Sequence, residues 1–302
     1  MSLKVLITGA KGQLGSELGR CLANMQAEIG SISEAYADAQ VFLCDSSTLD
    51  IANKDAVFKA FQEIEPDIVF NCAAFTNVDG CELNEDAAYA VNATGPENLA
   101  QAAKVCGVKL VHVSTDYVFP GTEPTPRIEN DEPAPISAYG RTKLAGEIAV
   151  RKNCDEYFIV RTAWLYGYEG KNFVKTMMGL GKKFDEVTVV NDQFGNPTSA
   201  NDLAYTLLKL ALTDDYGVYH ATNEGTCSWA DFAAAIMQGA GLDCRVVPVS
   251  SAQWKEMHPE SATRPAFSSL ENKRLVDTIG NDMRPWQDAL ASYFENYSEL
   301  MD

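Results

Sequence analysis

The apolar run Lys4–Thr8 passes directly into a turn with glycines at positions 9, 12 and 15. That turn opens into an amphipathic stripe at Leu14, Leu18, Cys21 or Leu22, and Met25. Spacing by threes and fours puts these residues on one helix face, so the sequence predicts strand, tight turn and helix in immediate succession. A chain that begins this way is committed to a parallel sheet covered by helices, and the alternation continues. Val41–Cys44 reads as a second strand, Val57, Phe58, Phe61 and Ile64 as a helix face, and Ile68–Ala74 as a buried central strand. The next helix is expected over Asn84–Cys106, kinked or broken at Gly95-Pro96. Lys109–Ser114 and Phe158–Thr162 are further strands. Between them lie the proline-rich segment Pro120–Pro135, read as a surface loop, and a helix from a Ser137 N-cap to about Val150. After Gly167 the pattern loosens, with helices at Phe173–Leu180, Asp202–Leu212 and Trp229–Met237 and strands at Val187–Val190 and Val218–Ala221. The expected fold is α/β. A Rossmann-like doubly wound parallel sheet occupies 1–167 and a smaller C-terminal α/β lobe 168–302, with the chain crossing back to the sheet domain.

Lys plus Arg number 24 and Asp plus Glu 42, a formal charge of −18, which argues against nucleic acid or an anionic membrane as partner. No apolar run approaches the ~20 residues that span a bilayer, and the start is too short for a signal peptide. The cysteines at 21, 44, 72, 81, 106, 154, 227 and 244 form no CxxC pair, and the three histidines are scattered. Reduced thiols in a cytoplasmic protein, with neither a zinc cluster nor a histidine triad, are the expectation.

Glycines between a strand and a helix allow backbone N–H groups to approach a pyrophosphate at the positive helix end. Gly9, Gly12 and Gly15, with Gln13 and Leu14 between the last two, are therefore candidates for binding a dinucleotide. Asp45, ending the second strand, is placed to accept hydrogen bonds from ribose hydroxyls. No Lys or Arg lies between Ser31 and Asn53 to receive a 2′-phosphate, which leans toward NADH over NADPH, although Lys11 in the glycine turn carries a positive charge. Tyr139 and Lys143 stand four apart and share a helix face. A phenol exchanges protons poorly near neutrality unless a neighbour stabilises its anion, and an ammonium does so.

With Ser114-Thr115-Asp116 at a strand end upstream, the chain resembles the extended short-chain dehydrogenases/reductases, and among them the dTDP-4-dehydrorhamnose reductases. The segments that carry the resemblance are TGAKGQLG (8–15), NCAAFTNVD (71–79), STDYVFPG (114–121), YGRTKLAG (139–146), RTAWLY (161–166), NDQFGNPT (191–198) and Arg264-Pro265. The resemblance implies Thr115, Tyr139 and Lys143 as catalytic residues. It assigns Gly12, Gln13 and Leu14 to the cofactor phosphates, Asp50 and Ile51 to the adenine side, and Ala73, Ala74, Phe75, Thr76 and Val113 to the rest of the cofactor. Val78, Thr115, Asp116, Trp164 and Arg264 would meet a nucleotide-sugar substrate. Some relatives dimerise through a metal such as Mg²⁺. Glu17 matches one of its ligands, but Asn201 replaces another, so both monomer and homodimer remain open. Sister 4,6-dehydratases carry Thr-Asp-Glu where Tyr117 follows Asp116 here, and 4-epimerases carry a serine-rich strand end. A different class, the non-catalytic regulatory partner of methionine adenosyltransferase, has no need to keep Thr115, Tyr139 and Lys143 together. The resemblance implies reduction of the C4 ketone of dTDP-4-dehydro-L-rhamnose for polysaccharide precursors.

Overall fold

In the computed structural model, which describes residues 2–301, β1 (Lys4–Thr8) buries Val5 and Ile7 on one face and Leu6 on the other. A strand apolar on both faces needs a helical layer on each, and the chain supplies two. The sheet continues with β2 (Gln40–Cys44), β3 (Ile68–Asn71), β4 (Lys109–Thr115), β5 (Tyr157–Thr162) and β6 (Gly217–His220), all parallel, in spatial order β2-β1-β3-β4-β5-β6. On the Val5 face, α1 (Gln13–Asn24) packs Leu14, Leu18 and Leu22 with Leu203 and Leu207 of α5 (Ala200–Leu210). On the Leu6 face lie α2 (Lys54–Ile64), α3 (Gly95–Cys106) and α4 (Ala138–Asn153), through Val57, Phe61, Leu99 and Val150. Chain order reverses between β1 and β3, and the crevice beyond the carboxyl ends of the strands at such a point is where open α/β sheets bind ligands.

Two local expectations are corrected. The Ile68–Ala74 run leaves the sheet at Asn71, where Thr8 Oγ1 donates to Asn71 Oδ1 at 2.8 Å and Asn71 Nδ2 meets His112 Nδ1 at 3.0 Å. Gly95-Pro96 does not break its helix, which stays helical from Glu85 to Cys106. A π-helical turn, Ala90–Thr94, precedes the pair, and Pro96 falls in the first turn of α3, where its missing N–H costs little. Pro120–Pro135 is a surface loop as expected, held by a bridge from Arg127 to Leu270 and by Glu129, which receives the backbone N–H groups of His220 and Arg274.

The second lobe is built on a parallel pair, Glu186–Val190 with Arg245–Val249, of which only the first was predicted. Helices Phe173–Gly181, Trp229–Gly239 and Trp286–Met301 cover it around Val174, Phe232 and Trp286. The last of these helices carries no marker in the sequence reading. Among the described residues no helix is long and apolar enough to cross a membrane, and all eight cysteines are free.

Candidate active site

The glycine turn lies at the open end of β1. Gly9 holds φ +66°, Gly12 N donates to Gly9 O at 2.9 Å, and a Cβ on Gly15 would stand 2.4 Å from Gly9 O. Only glycine closes the turn this tightly. The turn leaves the N-terminus of α1 without a capping side chain and its first turn without an acid, so the helix amides face the crevice unopposed.

Across the crevice, Ser137 caps α4 by accepting from Gly140 N at 3.1 Å, which places Tyr139 in its first turn. Gly140 lets this helix end press on the strand-end turn, since a Cβ there would stand 2.2 Å from Tyr117 O. That contact brings Tyr139 to the end of β4. Its ring meets Tyr117 edge-on at 5.6 Å, and Tyr139 and Thr115 line the same cavity. Thr115 Oγ1 donates to Asp116 Oδ1 at 2.8 Å. Burial pushes the Tyr139 phenol above its ordinary pKa. The ammonium of Lys143 is elsewhere than the sequence reading put it. Buried, it donates to Val113 O at 2.6 Å, and burial holds it down to about 8. Asp116, also buried, is raised to about 6.

These groups line one cavity of about 620 Å³. Of the sequence candidates it gathers Gly12, Gln13, Leu14, Ala74, Thr76, Val78, Val113, Thr115, Asp116, Tyr139, Lys143, Trp164 and Arg264. Gln13 Oε1, Asp116 Oδ2 and Thr162 Oγ1 are buried there with no partner, so the cavity holds polar atoms that a ligand would satisfy. Gly9, Gly15, Ala73 and Phe75 frame the cavity without lining it. Phe75 is locked by Asn92, which accepts from its N–H at 2.8 Å and donates to its carbonyl at 3.0 Å. Asp45 and Asp50 lie outside it. Asp45 pairs with Lys11 and accepts from Ser47 N at 2.8 Å, which holds its carboxyl below the usual range, and Asp50 accepts from Ala52 N at 3.0 Å. Ile51 is a core residue, pressed against Gly95, with its carbonyl taken by Asn98 Nδ2 at 2.9 Å. Arg264 reaches both oxygens of Asp79 at 3.2 Å, so its guanidinium is already engaged at the rim.

Trp164 holds φ +46°, an uncommon conformation for a bulky residue, and its indole stacks on Trp229 at 3.5 Å with planes 7° apart. Trp229, Phe173, Asn172 and Lys171 complete the cavity and were not singled out in the sequence. Trp229 begins an apolar helical stripe, so periodicity reads it as core. Its only other signal is that Trp occurs just four times in the chain.

The residue matched to the bridging metal already has protein partners. Glu17 is buried, accepting from Arg20 Nη2 at 2.6 Å and Asn201 Nδ2 at 3.0 Å, and among the described residues no group of His, Cys, Asp or Glu is arranged around a metal position.

A glycine turn facing a tyrosine and a lysine one helical turn apart, across the crevice of a parallel sheet, is the arrangement of the extended short-chain dehydrogenases/reductases. Within that class the chain belongs to the family of the RmlD substrate binding domain, whose pattern matches residues 3–299, and of the dTDP-4-dehydrorhamnose reductases. It is 43% identical over 298 residues to the dTDP-4-dehydrorhamnose reductase of Mycobacterium tuberculosis strain H37Rv, covering 96% of this chain and 92% of that one. It is 38% identical to the spore coat polysaccharide biosynthesis protein SpsK of Bacillus subtilis, covering 99% of each. The crystal structure of the Bacillus anthracis dTDP-4-dehydrorhamnose reductase in complex with NADP matches with a TM-score of 0.89 at 42% identity, over 98% of this chain and all of that one.

Proposed function

We propose that this protein reduces the C4 ketone of dTDP-4-dehydro-L-rhamnose with NADH or NADPH, giving dTDP-L-rhamnose for polysaccharide synthesis. The observation that carries this reading is the meeting of Thr115, Tyr139 and Lys143 on one cavity with the glycine turn and three unpartnered buried polar atoms. The uncapped end of α1, with Gly12, Gln13 and Leu14, fits the dinucleotide phosphates. Ala74, Thr76 and Val113 flank the path from there to Tyr139. When bound, the reduced dinucleotide supplies the hydride. Tyr139 donates its proton to the ketone oxygen as negative charge develops there, and Thr115 orients that oxygen. Lys143, released from Val113 O, holds the ribose and steadies the phenolate once its proton has left. Asp116 and Trp164 contact the sugar. Two cations at the cavity, Arg264 and the exposed Lys171, suit a pyrophosphate. The eight free thiols suit a reducing cytoplasm.

Cofactor choice turns on the Lys11–Asp45 pair. Asp45 disfavours a 2′-phosphate, whereas Lys11, 82% exposed, is able to turn toward one. The test is to mix the protein with NADH or NADPH and a panel of nucleotide 4-keto-sugars, following absorbance of the reduced nicotinamide. Fastest oxidation is expected with dTDP-4-dehydro-L-rhamnose, with NADH used at least as well as NADPH. A strong NADPH preference would overturn the role given to Asp45. Cofactor oxidation with none of the sugars would favour the regulatory-subunit reading instead.

A further inference from the structure

Beneath the cavity, outside the groups just assigned, sits a buried ion pair with no role in the reaction as described. Glu147 lies on α4, one turn beyond Lys143 and two beyond Tyr139, and is fully buried. Its Oε1 accepts from Ser114 Oγ at 2.7 Å and from Arg161 Nε at 2.8 Å, and its Oε2 from Arg161 Nη2 at 2.8 Å. Ser114 and Arg161 are direct register partners on β4 and β5. One carboxylate on the helix therefore clasps the carboxyl ends of two central strands. Ser114 sits between Val113, whose carbonyl takes the Lys143 ammonium, and Thr115, which lines the cavity with Tyr139.

We propose that Glu147 is a positioning residue of the reaction: it fixes the strand end that carries Val113 and Thr115 against the helix face that carries Tyr139 and Lys143, and its negative charge supports the buried Lys143 ammonium. Breaking a buried pair leaves an uncompensated charge, and the desolvation cost of burying two charges makes the pair weak evidence for stability on its own. The charges around the clasp leave Glu147 as the anion for this task. The titratable groups interacting with Lys143 are the Cys72 thiol just past the end of β3, the His112 ring on β4 and Glu147. Burial keeps the thiol protonated and the ring neutral. Around Glu147 stand Ser114, Arg161 and, at 3.6 Å, the half-exposed Arg151. Beyond Arg161, 3.4 Å from its Nη1, are the His220 ring, neutral through burial, and the Glu129 carbonyl.

The inference rests on the reductase reading, so one of its two tests does not depend on turnover. The first titrates Lys143 in the ligand-free protein by NMR of ¹³Cε-labelled lysine, the signal being assigned by its loss in Lys143→Met. The wild-type midpoint is expected near 8. Glu147→Gln should lower it by at least half a pH unit, whereas Glu147→Asp, which keeps the charge, should move it less. The second test compares kcat with KM. Glu147→Gln should lower kcat at least tenfold, leave the KM for the dinucleotide within threefold, and shift the alkaline fall of kcat to lower pH. If Glu147→Gln does not fold, the double variant Glu147→Gln/Arg161→Met, which also removes the buried Arg161 cation, is expected to give the same shifted midpoint and reduced kcat. An unmoved Lys143 midpoint, or wild-type kcat per folded molecule with only a lower Tm, would overturn the proposal. Wild-type protein that turns over no 4-keto-sugar but shows the midpoint shift would instead fail the reductase reading and leave the charge relation standing.

Discussion

Tyr139 and Lys143 divide the work differently from what their spacing alone suggests. Burial raises the phenol, which suits the proton-donor role proposed for Tyr139, while the Lys143 ammonium is bound to Val113 O. Tyr139→Phe keeps the packing on Tyr117 but removes the proton. Turnover should fall by ~10²–10⁴-fold with dinucleotide affinity within about threefold, checked by steady-state rates and fluorescence titration; activity within threefold of wild type would sink the assignment. Lys143 is held down to about 8 from 10.5, so the fold disfavours its charged form. Because the folded value is the lower one, this cost is full at neutral pH and is relieved as pH rises from 8 toward 10.5. It amounts to ~3 kcal/mol at neutral pH, against about 1 kcal/mol for the bond to Val113 O. Lys143→Met should therefore abolish turnover and weaken dinucleotide binding while raising Tm at pH 7, measurable by thermal melting. A lowered Tm would mean that the ammonium stabilises the fold.

At the scale of elements, the strands and helices that position the site were largely legible. The glycine turn, the Ser137 cap and the apolar runs of β1, β3, β4 and β5 each carry a local signal stronger than its surroundings. What escaped depends on distant contacts. Ile68–Ala74 looks uniformly apolar, yet the strand must end where Asn71 joins Thr8 and His112. The π turn at Ala90–Thr94 leaves no compositional trace, and Trp229 reads as core until the stacked Trp164 is seen beside it. Ile51 reads as a cofactor contact by motif, whereas tertiary packing against Gly95 makes it core. The glycine turn offers the test at this scale. A methyl at position 15 meets a carbonyl oxygen at 2.4 Å, and backbone has to move to accept it. Gly15→Ala should cost ~1–3 kcal/mol of stability and weaken dinucleotide binding at least tenfold, read by denaturation and by titration with NADH. Unchanged affinity would mean that the turn does not hold the phosphates.

The molecule as a whole carries a charge of −18 and, on the proposed reading, takes two anionic ligands, so the cations at the cavity work against a repulsive field. Its two lobes are also interleaved. After building part of the second lobe the chain returns through α5 and β6, and Leu203 and Leu207 complete the core over α1. A fragment of residues 1–167 would expose that apolar face and the edge of β5. It is expected to show no cooperative thermal transition and to aggregate, and a single sharp transition would contradict this. The same interleaving bears on how the protein is made. Tyr157–Thr162 leaves the ribosome well before Gly217–His220, which must pair with it. At ordinary elongation rates that interval lasts about 3–12 s, during which a nascent parallel sheet waits with a bare, apolar flank. The edge of β5 thus gains its partner strand only after the intervening part of the second lobe has been made.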